Sequence, residues 1–205
     1  MAATHLSQES VRLLAATYAQ LVEGQTRELQ LTDDLSHSLD DYRQVISGKT
    51  ASLIRTSARL GAIAANADDS VVEALSTWAW EVGMVFQIAD DALDLVADEE
   101  TIGKPAGSDI REGTFTGPVL RAVAGPQGER VREILSGGRP YSDEAVAEVI
   151  DLVRDGGHVD AALENATTRL ATADAALAVL PESHPREILE RLGAYLLDRV
   201  EAARS

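Results

Sequence analysis

The chain has 205 residues, 45% of them apolar, with 18 Lys and Arg against 34 Asp and Glu, a formal charge of −16. That length supports one substantial core and that charge repels nucleic acid and anionic membrane surfaces, so polyanion binding by bulk charge is excluded as a function class. The absence of cysteine excludes disulfides, thiolate zinc sites and a cysteine nucleophile; no apolar run reaches membrane-spanning length, no signal sequence opens the chain, and a cytoplasmic location follows as the expectation.

Taken in order, the elements read as helices. From about Gln8 to Glu28, Val11, Leu14, Ala15, Tyr18, Leu21 and Val22 recur on one face, with Ser7 placed to cap. A second helix opens at Ser38 with Asp40 and Asp41 in its first turn, where the helix dipole favours acids, and runs through Tyr42, Val45, Ile46, Leu53 and Ile54 towards Leu60. The third spans about Asp69 to Val96. Residues 98–118 carry Gly103, Pro105, Gly107, Gly113, Gly117 and Pro118, which prevent a long helix. Four further helical patterns follow, around 118–135, 143–155, 158–179 and 185–203. The expected class is all-α, as one domain over residues 1–205.

The third helix ends in FQIADDALD, residues 86–94. Leu75, Trp78, Val82 and Phe86 form an apolar row at helical spacing, and Asp90 and Asp94 continue it, with Asp91 beside them. Like charges at that spacing repel, late in a helix whose end is already negative. An isolated pattern of this kind reads equally well as a solvated helix end. Here the carboxylates extend the buried row, and a glycine-rich loop with two cations follows. A hard divalent cation neutralises such a cluster, because Mg²⁺ takes carboxylate oxygens and shares its shell with phosphate oxygens and water. The residues thus point to a Mg²⁺–phosphate site at the mouth of a helical bundle.

GMVFQIADDALDLVADEETIGKPAGSDIREGTFTGPVL resembles the second aspartate-rich region of the trans-isoprenyl (polyprenyl) diphosphate synthases; LVEGQTREL and YRQVISGKTASLIRTSARLGA resemble two upstream helices of that family, in the same order. The resemblance implies an antiparallel bundle of the isoprenoid synthase type and Mg²⁺-dependent prenyl transfer from an allylic diphosphate to isopentenyl diphosphate. It implies metal binding by Asp90, Asp91 and Asp94. It implies diphosphate contacts from Lys49 and Lys104, Thr50 and Gln87 facing the developing carbocation, and a supporting role for Asp109. His5, His37, His158 and His184 have no metal-ligand spacing, and no role is assigned to them.

Three departures qualify the resemblance. Gly113 is followed by Thr114 where most of the family has a lysine, and the loop closes on Thr116-Gly117-Pro118. The family's first aspartate-rich motif is absent, so the chain is expected to be the C-terminal part of the fold, incomplete at its N-terminus, and to expose apolar surface around Leu53, Ile54 and Val82. A homo- or hetero-oligomer is the expected consequence. The alternative is a non-catalytic helical interaction or regulatory subunit descended from such an enzyme.

Overall fold

The computed structural model of the chain describes residues 7–97, 103 and 105–204; among them every regular element is helical and there is no strand. Helix α1 (Gln8–Leu31) starts where the Ser7 side chain accepts the Ser10 N–H. Helix α2 (Leu39–Ile46) starts with a reciprocal cap: Ser38 Oγ accepts the Asp41 N–H at 3.1 Å, and the Asp41 carboxylate accepts the Ser38 N–H at 2.8 Å. It continues through a π-helical turn (Ser47–Ala51) into α3 (Ser52–Ala64), so the helix expected from Ser38 is present but carries one widened turn. Helix α4 spans Asp69–Val96. A short α5 (Ser108–Arg111) lies in the glycine-rich loop.

The helix expected over 118–135 is two helices, α6 (Gly117–Ala124) and α7 (Gly128–Leu135). Pro126 causes the break: it has no N–H to donate and pushes Gly125 out of helical geometry, to φ −92° and ψ −170°. Helices α8 (Asp143–Asp155), α9 (His158–Leu177) and α10 (His184–Arg204) complete the chain.

The core is organised around α4, 17 of whose 28 residues are buried. Helices α3, α9 and α10 pack along it, and the π turn, α6 and α8 touch it as well. Fully buried Val85, Leu95, Ile110, Val119 and Val149 lie in this core, each contributing about 1.5–3 kcal/mol of burial. Glu81 on α4 and Arg169 on α9 add a largely buried ion pair at 2.7 Å. No helix among the described residues is long and apolar enough to cross a membrane.

Helix α1 reverses the expected burial. Val11, Leu14, Tyr18 and Val22 are exposed, Tyr18 by 71%, whereas Ser10, Thr17 and Gly24 are buried. The reason is close approach: α1 meets the π turn and α3 through small residues, with Thr17 and Thr56 sharing a buried hydroxyl–hydroxyl hydrogen bond at 2.5 Å. Leu53 is open as expected, but Val82 is buried and Ile54 packs against the core, so the apolar surface predicted there is only partly present.

Candidate active site

A cavity of about 320 Å³ opens between α1, the α2–π segment, the C-terminal half of α4 and the loop around α5. Three close approaches shape its helical side. A Cβ on Gly24 would lie 2.8 Å from the Lys49 backbone nitrogen, one on Gly48 2.9 Å from the Gln20 carbonyl, and one on Gly83 2.7 Å from Ala51 Cα. Only glycine fits at these crossings, and the turn that carries Lys49 and Thr50 is clamped between α1 and α4. Turns of this wide pitch are rare and recur at functional sites.

A chain of hydrogen bonds crosses the cavity floor. Thr50 Oγ1 donates to Gln87 Oε1 at 3.0 Å, Gln87 Nε2 donates to Asp91 Oδ1 at 2.9 Å, and Tyr42 Oη donates to Asp91 Oδ2 at 2.5 Å. Both Asp91 oxygens therefore face neutral donors. Burial pushes the Asp91 carboxyl up to about 7, against the pull of the Tyr42 and Gln87 hydrogen bonds and with the help of the Asp109 and Asp90 charges. Burial and the Asp91 charge also hold the Tyr42 phenol well above its usual value.

The sequence-predicted residues Lys49, Thr50, Gln87, Asp90, Asp91 and Asp109 all line this one cavity. Lys104 lies outside the described residues. Asp94 does not line the cavity: it is buried beneath the loop, its Oδ2 accepting the Asp109 N–H at 3.1 Å and its carbonyl accepting the Gly107 N–H at 2.8 Å. Asp90 is exposed at the cavity, whereas Asp91 and Asp94 are buried; Asp94, the next member of the row after Asp90, is covered by the loop whose Asp109 N–H it accepts.

Among the polar cavity residues, Glu28, His37, Tyr42 and Glu112 were given no site role from sequence. Glu28 matters most, because its Oε2 accepts from Lys49 Nζ at 2.6 Å and from Gln25 Nε2 at 2.9 Å. No short spacing links Glu28 to Lys49, 21 residues away; the pair exists because Gly24 lets α1 lie against the π turn. Among the described lining residues, five carboxylates (Glu28, Asp90, Asp91, Asp109 and Glu112) thus accompany one lysine and one histidine. Such a donor set of hard oxygens suits a divalent cation. Among the described residues no three acids or histidines converge on one point, so an ion held here would draw part of its shell from water or from a ligand's oxygens.

The sequence pattern of the family described as polyprenyl synthetase matches residues 1–153. The chain is 39% identical over 197 residues to a nonaprenyl diphosphate synthase of Mycobacterium tuberculosis, covering 95% of this chain and 58% of that protein. It is 30% identical to heptaprenyl diphosphate synthase component 2 of Bacillus subtilis, covering 90% and 53%. A crystal structure of a polyprenyl synthase from Caulobacter crescentus CB15, complexed with calcium and isoprenyl diphosphate, superposes with a TM-score of 0.86 at 35% identity, over 93% of this chain and 59% of that one. The chain therefore spans between half and two thirds of the length of these relatives.

Proposed function

The chain belongs to the polyprenyl synthetase family, and from that premise we propose that it supplies the allylic diphosphate site of a polyprenyl diphosphate synthase, transferring a prenyl group to isopentenyl diphosphate. The observation that carries this reading is the cavity itself, where the Thr50–Gln87–Asp91–Tyr42 chain of hydrogen bonds lies beside Asp90 and Lys49. The Caulobacter relative, crystallised with calcium and isoprenyl diphosphate, supports the same ligand class for this chain.

In this reading Asp90 and Asp91 hold Mg²⁺, and Asp94 serves them from beneath by fixing the backbone of the loop that brings Asp109 to the cavity. A Mg²⁺ ion held there would supply positive charge against the leaving diphosphate. Lys49 supplies charge-assisted hydrogen bonds to the same anion, leaving Glu28 to do so. The bond from the allylic C1 to oxygen breaks with its electron pair going to the diphosphate; the isopentenyl double bond then supplies the pair for the new carbon–carbon bond, and the proton it releases passes to the departed diphosphate or to water. Thr50 donates its hydroxyl proton to Gln87, which leaves oxygen lone pairs to face the developing cation. Gln87 and Tyr42 fix both oxygens of Asp91, so the carboxylate does not have to reorganise as charge moves.

The groups that would hold isopentenyl diphosphate are not assigned to this cavity. We place them on a further segment or a partner chain, and with them the completion of the catalytic unit of which residues 1–205 form the C-terminal part. The relative named component 2 of heptaprenyl diphosphate synthase supports a divided enzyme. So does the exposed row Val11, Leu14, Tyr18, Val22 and Leu29 along α1, a surface suited to being covered.

Calorimetry with farnesyl diphosphate tests the reading. Binding is expected only with Mg²⁺ and is expected to be lost in Asp90→Ala. A folded chain that binds no allylic diphosphate at any Mg²⁺ concentration would overturn it.

A further inference from the structure

The charge inventory of the cavity leaves a gap that one residue is placed to fill. Among the described lining residues are five carboxylates and one lysine, Lys49, which pairs with Glu28 at 2.6 Å. The other basic side chain among the described lining residues is His37. Resting on the diphosphate reading above, we propose that His37, which lines the same cavity as Lys49, is a second anion-binding group of the site.

Two features make the imidazole a fixed element. Its Nδ1 meets the Asp34 carbonyl, which can only accept, so Nδ1 carries the proton and Nε2 is the nitrogen left to meet a ligand. A diphosphate hydroxyl can donate to that nitrogen, and a fully ionised oxygen can accept from it once it is protonated. The loop around it is itself tied: Asp34 Oδ1 accepts the Ser36 N–H at 2.8 Å and the Ser36 hydroxyl at 2.6 Å.

The second feature joins this loop to the one across from it. The Asp33 N–H donates to the Gly113 carbonyl at 2.9 Å, and the Asp33 carboxylate takes a two-pronged bond from Arg139 at 2.8 and 2.7 Å. Gly113, at φ +74°, lies so close that a Cβ there would fall 2.1 Å from Asp33 Oδ1. His37 is thereby held in register with Glu112 and Thr114, which line the same cavity. Thr114 offers only a hydroxyl; His37 adds an imidazole nitrogen on the described lining of that side.

The test is calorimetric titration of inorganic diphosphate into the full chain with Mg²⁺, comparing wild type with His37→Ala, His37→Asn and His37→Lys, each first matched for melting temperature. Asn can still donate to the Asp34 carbonyl but has no second nitrogen to reach the ligand. His37→Ala and His37→Asn are both expected to weaken binding about tenfold, the worth of one charge-assisted hydrogen bond, and His37→Lys to restore it. Mg²⁺-dependent binding by wild type with His37→Ala within twofold of it would overturn the proposal and leave the site reading standing. Full recovery in His37→Asn would also overturn it, by tracing the effect to loop shape. Failure of folded wild type to bind diphosphate at all would overturn both.

Discussion

On one side of the cavity, α1, the π turn and α4 meet at Gly24, Gly48 and Gly83, where backbone lies against backbone and there is no room for a methyl group. On the other side, the loop from Pro105 to Thr116 is hung on polar groups: the buried Asp94 carboxylate, the Asp94 carbonyl, and the Asp33–Gly113 and Asp33–Arg139 contacts. The first wall places its lysine by shape, and the second places its acids by hydrogen bonding. Steric changes should therefore damage one wall and polar changes the other.

The largest effect is expected at Asp91, where the two walls join. Asp91→Asn is expected to abolish Mg²⁺-dependent diphosphate binding, by at least about a hundredfold, while leaving the fold intact. Removing the charge also changes the pH response of the metal-free protein. Burial raises the Asp91 carboxyl from 3.8 to about 7, so between those values the folded chain holds a proton that the unfolded chain has released. Its contribution to stability is full below pH 4 and is lost as pH rises to about 7. The loss is on the order of 2–4 kcal/mol. Thermal melts in chelator should show this decline in wild type and not in Asp91→Asn; identical profiles would break the claim.

A steric change of one carbon probes the other wall. Gly24→Ala drives a Cβ into the Lys49 backbone nitrogen and is expected to cost about 1–3 kcal/mol in urea unfolding, with weaker diphosphate binding as Lys49 moves. Gly61, on the open side of α3, has nothing within 4 Å of its missing Cβ. Gly61→Ala should instead gain up to about 1 kcal/mol and leave binding unchanged. Equal losses at the two glycines would erase the distinction between the walls.

A smaller effect is expected from Glu28→Gln, which releases Lys49 from its partially exposed pair. Because such pairs are worth at most about 1 kcal/mol, diphosphate should bind up to about fivefold more tightly. Weaker binding would mean that Glu28 holds Lys49 where the anion needs it.

Much of this was legible in the residues. Ser7 and Ser38 mark helix starts because capping is local chemistry, and α8 begins and ends where the pattern places it, because apolar periodicity is strong there. The motif residues Lys49, Thr50, Gln87, Asp90 and Asp91 converge as their resemblance to a known family implies. What was not legible depends on contacts between distant elements. Periodicity marks the apolar face of α1 but not whether this chain covers it, and Val11, Leu14 and Tyr18 lie open. Asp94 belongs to the motif by spacing, yet its buried oxygen serves a loop 15 residues on. Glu28 and His37 reach the site through glycine contacts and a loop tie that no local pattern announces.

The π-helical turn has a consequence for chain length. A turn closed by i→i+5 bonds holds one residue more than an α-helical turn, yet α2 and α3 leave it still aimed at their own neighbours. A one-residue deletion between Ser47 and Ala51 would return the segment to ordinary pitch with both flanks keeping their facing, whereas the same deletion within α3 would swing all that follows by about 100°. Length can be trimmed at this point without derailing the helix. The slack sits where Lys49 and Thr50 line the cavity, so a shortened chain would keep its architecture and lose the placement of these two side chains.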